Sequence, residues 1–223
     1  MMKHKEFILT PLVSLIEKTL LPLDMYKGQM SSYAIKEYVL QTLLFKLTGC
    51  MEQKAKCILW DIATHDFEFR RVFLEDKQRK YSKYDERIEV YITLLQQVGK
   101  IKETRKNDLL TQLKVFKEEV LEKSIIKMWL PRELHDLEIK NLFDIKRWAV
   151  NCLFDNSLHE IYKQLYNHRN RCAHNVLSYQ GNAMPPQKIK DLGGYNYASW
   201  FTLLVLMDMI YMELYTEFTL KRY

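Results

Sequence analysis

Ten residues late in the chain, YNHRNRCAHN at 166–175, hold the side chains with the most evident chemical capacity. His174 titrates near neutrality, with an unperturbed pKa of about 6.5, and can serve as a general base or acid. Arg169 offers a planar fork of donors that matches phosphate oxygens two at a time. Upstream, Ser157 and Glu160 form an S-x-x-E capping box, which opens a helix with apolar positions at Leu158, Ile161, Leu165 and Cys172. At about 100° per residue, Arg169 falls near the middle of that apolar stripe. A cation there calls for a buried anionic partner, a subunit interface or a bound phosphate. Asn170 and His174 are four apart and share a face, which places the amide to fix the imidazole's orientation and tautomer. Arg169 and His174 are five apart, roughly 140° around an ideal helix. They meet at one spot only if the helix ends near Asn175 or a second copy of the motif faces the first.

Ordinary readings stand beside these. His174 can act as a helix-terminal cap. Arg169 can form a structural salt bridge, for example with Glu52. Arg171 is either a solvated charge or a contact to a nucleic-acid backbone. His168, Cys172 and His174 suggest zinc, but no fourth ligand is evident, so no metal and no cofactor are expected. Cys50 and Cys57, seven apart, read as core packing.

Hydrophobic periodicity supplies the scaffold. Thr10 and Pro11 read as cap and first position of a helix carried by Leu12, Leu15, Ile16 and Leu20 and stopped by Pro22. After the turn-like MYKGQM, Ser31 or Ser32 caps the longest helix, with Ile35, Val39, Leu43 and Leu47 every four residues and then Met51, Ile58 and Ile62. A bend is expected near Gly49. Residues 76–87 read as a polar surface loop or helix start. Ile88, Ile92 and Leu95 mark a helix to about Gly99, and KIKETRKN reads as a basic connector. Asn107 then caps a helix through Leu109, Leu113, Phe116 and Val120, ended by Pro131. A further helix is expected around Ile145 to Leu153. The stretch 176–197 collects Tyr179, Tyr195 and Tyr197 with Lys188 and Lys190, which reads as a packed loop or a platform for stacked bases. Leu43, Leu47, Leu165, Trp200, Leu204 and Met207 are expected in the core.

Composition agrees with a helical protein. Six Gly and five Pro in 223 residues are about 5%, against roughly 12% in average usage, which argues against sandwiches, barrels and collagen-like chains. A hydrophobic share of 48% supports one sizeable core, so residues 1–223 read as a single all-α domain. The net charge of +6 and pI near 9.0 favour polyanionic partners without requiring them. Four cysteines without a C-x-x-C pair fit reduced thiols in a cytoplasm. The N-terminal apolar run is broken by Glu6, Pro11 and Glu17, which argues against a signal peptide. The last apolar run carries Asp208 in its middle, with Glu213 and Glu217 behind it, so a buried core helix is expected rather than a membrane span.

The string Arg169-Asn170-Arg171-Cys172-Ala173-His174 resembles the R-x-x-x-x-H signature of the HEPN superfamily, including the polar residue that follows the arginine. The wider RNxxAHN sits at the end of an amphipathic helix, late in an all-helical chain, with one long helix following. The resemblance covers mainly residues 155–220. It implies an up-and-down helical bundle with additional helices that takes in the long helix from 31. It also implies a metal-independent RNA endonuclease of phage-defence or toxin type, acting as a homodimer with paired motifs and restrained by a regulatory protein or antitoxin. Arg169, Asn170 and His174 would be the catalytic set, with Arg171 and Glu52 as accessories. Related bundles often place a polar or acidic residue near the motif on the helix that carries Glu52. Cutting RNA by its own 2′-hydroxyl needs a base, an acid and cationic stabilisation of the phosphorane, which histidine and arginine provide. The competing reading is a catalytically idle bundle of the same kind that binds RNA or a partner protein.

Overall fold

A computed structural model describes residues 2–25, 33–76, 90, 92–94, 103–139, 156–174 and 197–221. Among the described residues every regular element is helical, with no strand. In chain order these are α1 (Met2–Leu9), α2 (Leu12–Asp24), α3 (Tyr33–His65), α4 (Phe67–Asp76) and α5 (Glu103–Val115), which runs on as a π-helical segment (Phe116–Leu121). Then follow α6 (Ile125–Trp129), α7 (Pro131–Asp136), α8 (Asn156–His174) and α9 (Tyr197–Leu220).

The last of these is the hub. From Tyr197 to Asp208 every position of α9 is buried, so it has no solvent face along its first three turns. It packs against α1, α2, α3, α5, α7, α8 and the π segment. By length and composition α9 could cross a membrane, but 89% of its most apolar window is covered by the protein itself. One contiguous core results. Leu43, Leu47, Leu165, Trp200, Leu204 and Met207 all lie in it, as the periodicity predicts.

Asp208 has a definite task in this hub. Its Oδ2 accepts the backbone N–H of Leu12 at 2.7 Å, and its Oδ1 accepts from Lys54 Nζ. Lys54 also donates to the carbonyl of Thr10. A helix start leaves its first amides without intrahelical partners, and here a carboxylate 196 residues away caps α2. The expected cap is therefore corrected. Thr10 Oγ1 donates back to the Glu6 carbonyl at 2.7 Å, and Pro11 stands at the cap position with no side-chain bond.

Other helix limits also differ from the sequence reading. Pro22 lies inside α2, whose apolar contacts through Ile16, Leu20 and Leu23 carry it on to Asp24. Asn107 lies inside α5 rather than capping it; the helix begins within the basic connector, at Glu103, and Thr111 Oγ1 donates to the Asn107 carbonyl. The α5 helix then loosens instead of running to Pro131. In the π segment the Glu122 amide bonds the Lys117 carbonyl five residues back, at 2.9 Å. Ser124 caps the next helix by accepting from the Ile126 amide, and Asp24 accepts from the Ile125 amide at 2.7 Å. Pro131 opens α7 instead of ending anything, as proline does at a first helical position. A helix absent from the sequence reading, α4, is capped by Asp66, whose Oδ1 accepts from the Phe69 amide at 3.0 Å. The assigned helix α3 passes through Gly49 without a break. Ser31, Ser32, most of 76–87, Ile88, Leu95, the 145–153 helix, Tyr179, Lys188, Lys190 and Tyr195 lie outside the described residues.

Candidate active site

The motif occupies the last turns of α8, a 19-residue helix whose buried face runs Leu158, Ile161, Tyr162, Leu165 and His168. Arg169 follows on the same face, at the end of the helix, and is half-buried. Its Nη1 donates to Asn170 Oδ1 at 3.2 Å, and its Nε is sealed from solvent without a hydrogen-bond partner. Among the described residues Arg169 makes no ion pair. The salt bridge considered with Glu52 is absent: Glu52 accepts instead from Lys56, one turn along α3, at 3.2 Å. Asn170 and Arg171 are exposed. Asn170 is engaged by Arg169, next to it in sequence, and its amide is thereby oriented on the guanidinium.

The α8 helix stays helical through His174, so the backbone separates positions 169 and 174 by about 140° and about 7.5 Å of rise. The His174 side chain lies outside what the structure describes.

His168, just before Arg169, is the motif-segment histidine whose side chain is described, and it is shut away from the surface. It is buried, with its ring 5.1 Å from that of Trp200 and edge-on to Tyr197 at 5.5 Å. Its Nε2 lies 2.8 Å from the Tyr197 hydroxyl, which donates to Glu37 Oε1 at 2.6 Å. Gln41 Nε2 donates to the same carboxylate oxygen at 3.0 Å. Burial holds the His168 pKa below its ordinary value, against the pull of Glu37 and with a smaller push from Arg171. His168 is therefore the neutral imidazole near pH 7.

Cys172 shares the His168 face, as the i, i+4 spacing requires, with Sγ 3.6 Å from Nε2. Burial pushes its thiol up to about 11, helped by Glu37 and opposed by Arg171 and a backbone hydrogen bond. It is accordingly a poor nucleophile and a poor metal ligand. Cys50 and Cys57 pack against the core, as their spacing suggests, and burial raises both thiols.

Two residues of this neighbourhood escape the sequence reading. Glu37, near the start of α3, is the acidic side chain that this long helix sends into the hydrogen bonds around His168. Tyr197, read as part of a loop, is the buried first residue of α9. Neither carries a local signal, because their bond spans 160 residues of sequence. Comparison with family models, with curated proteins and with solved structures finds no match to this chain.

Proposed function

We propose that this protein is a metal-independent RNA endonuclease of the HEPN kind, built as a homodimer in which two Arg169–His174 motifs converge. The observation that carries this reading is Arg169, a half-buried guanidinium at the end of an amphipathic helix with a single amide partner and no carboxylate among the described residues. A cation held in that way has free donors for an anion, and RNA supplies phosphate. The net charge of +6 attracts the same polyanion.

In this mechanism the 2′-hydroxyl of the substrate attacks the adjacent phosphorus and the 5′-oxygen of the next nucleotide leaves. One histidine takes the attacking proton and another gives a proton to the leaving oxygen. Arg169 binds the non-bridging oxygens as their charge grows. The separation of about 140° between positions 169 and 174 along α8 supports the paired arrangement. In this reading Asn170 holds Arg169 in orientation, and the exposed Arg171 contacts the RNA backbone. Defence or growth arrest, a cytoplasmic setting and a restraining protein partner belong to the same reading.

The test is incubation of the full chain with RNA and mapping of the cut ends. Expected are 2′,3′-cyclic phosphate and 5′-hydroxyl termini, an intact DNA strand of the same sequence, and unchanged cutting in excess EDTA. His174→Ala should lose about 10² to 10⁴ in rate, and Arg169→Ala should lose comparably while both variants keep their helical spectrum. A folded His174→Ala chain that cuts at the wild-type rate, or cutting abolished by EDTA and restored by a divalent metal, refutes the mechanism. A chain that binds RNA without cutting it supports the idle-module alternative.

A further inference from the structure

The bonds around His168 have a direction, and it follows from counting protons. Glu37 Oε1 accepts from both Gln41 and the Tyr197 hydroxyl. A phenol has one proton. With that proton committed to Glu37, the Tyr197 oxygen can only accept in its contact with His168 Nε2, 2.8 Å away. Nε2 must then carry the N–H that Tyr197 accepts, with Cys172 Sγ at 3.6 Å as a weaker second acceptor, and the other ring nitrogen, Nδ1, is left as a bare lone pair. The structure contains the matching feature: Nδ1 is buried with no hydrogen-bond partner. A bare acceptor in that place is a lesser cost than a buried N–H donor with nothing to receive it.

The three side chains also join three helix ends. Glu37 lies in the second turn of α3, Tyr197 is the first residue of α9, and His168 stands next to the arginine at the end of α8. Rotation of α8 about its axis, which would move Arg169 through an arc, must break the Nε2–H bond or slide the imidazole off Trp200. We infer that Glu37, Tyr197 and His168 are positioning residues: a one-way hydrogen-bond chain fixes His168 as its Nε2–H tautomer and so sets the rotation of α8 that presents Arg169 and His174 to the substrate. The inference rests on the ribonuclease reading for its catalytic consequence. The tautomer follows from the geometry alone.

Substitutions at Glu37 separate orientation from charge. Glu37→Gln keeps a side-chain oxygen that accepts from Tyr197, so the chain keeps its direction without the carboxylate. Glu37→Leu removes the acceptor and lets the Tyr197 proton turn towards His168, which drives the proton on the ring to Nδ1. Tyr197→Phe deletes one oxygen and takes the acceptor from Nε2. Two measurements on the full chain follow: ¹⁵N–¹H correlation spectra of the imidazole, and single-turnover cleavage of an RNA strand.

Wild type and Glu37→Gln should show the Nε2–H pattern and cut alike. Glu37→Leu and Tyr197→Phe should lose that pattern and slow by about 10- to 100-fold, the cost of a misplacement on the order of 1 Å. Should Glu37→Leu fail to fold, Tyr197→Phe carries the same test with the smaller change. An Nδ1–H tautomer in wild type overturns the inference. So do variants with an altered tautomer that cut at the wild-type rate, and so does a Glu37→Gln loss equal to that of Glu37→Leu, which would assign the effect to charge. A wild-type chain that cuts no RNA overturns the ribonuclease reading and the catalytic part of this one, while the spectra still decide the direction of the chain.

Discussion

Replacing Asp208 by leucine should cost this protein a large fraction of its stability, and the structure gives the size of the effect. Asp208 and Lys54 are both almost wholly buried, and they form an ion pair in the middle of the molecule. Burial raises the Asp208 pKa even against Lys54 and the Leu12 amide, so the environment is one that resists an isolated charge. Asp208→Leu leaves the Lys54 ammonium with the Thr10 carbonyl as its remaining hydrogen-bond partner, and it orphans the Leu12 N–H. Removing one member of a buried pair costs about 3–5 kcal/mol. A domain of ordinary stability has about 5–15 kcal/mol in all. Lys54→Met should be milder at low pH, because the stranded Asp208 can take up a proton. Since the native state then binds more protons than the unfolded chain, that variant should lose stability as pH rises. The double change Lys54→Met with Asp208→Leu removes both charges, so the main residual cost is the orphaned amide of Leu12, about 1–3 kcal/mol. Urea unfolding followed by helical circular dichroism, with the denaturant slope checked for constancy, measures all three. Asp208→Leu costing less than about 1 kcal/mol, or a double variant as unstable as the sum of the singles, would refute the reasoning.

Two further outcomes follow from the buried groups around the motif. His168 has a lowered pKa in the folded chain, so the unfolded chain binds the proton more readily. Its contribution should be complete above about pH 6.5 and should be lost as pH falls below that value, by up to about 1.4 kcal/mol per pH unit. Stability curves at pH 5 and pH 8 for wild type and His168→Phe test this, and an identical pH slope in the two proteins counts against it. At Cys172 a thiol pushed up to about 11 from 9.0 holds about 100-fold less thiolate at neutral pH. Alkylation by iodoacetamide, read peptide by peptide in the mass spectrometer, should be slower at Cys172 than at a free thiol by about that factor, and labelling at the free-thiol rate would contradict the burial argument.

Helix content and the core were legible because both depend on short-range periodicity. Leu43, Leu47 and Leu165 repeat at helical spacing, and each is buried. The apolar run from Trp200 to Met207, interrupted only by Thr202, marked a buried core helix, and that helix is the hub. Local punctuation was less reliable. Asn107 and Thr10 have the side chains of caps, but α5 begins four residues before Asn107, and a carboxylate from α9 satisfies α2. Asp66 carries a local signal, an acidic residue three before the amide it accepts from, just past the end of α3.

Asp208 shows most directly why the remainder was illegible. In the sequence it is an argument against a membrane span and nothing more, since an acidic residue in an apolar run is costly wherever the run is placed. Its positive role needs the start of α2 and the middle of α3 to arrive at the same point, and neither arrival is encoded near position 208. Glu37 and Glu52 make the same point at the motif. Both are glutamates on α3, fifteen residues apart, and pattern alone does not tell which one reaches α8; Glu52 settles on Lys56 while Glu37 receives Tyr197. What spacing did encode was the problem at Arg169, a guanidinium on an apolar face. The described residues give it a single amide partner and no counter-charge, which is the condition under which an incoming phosphate gains most from it.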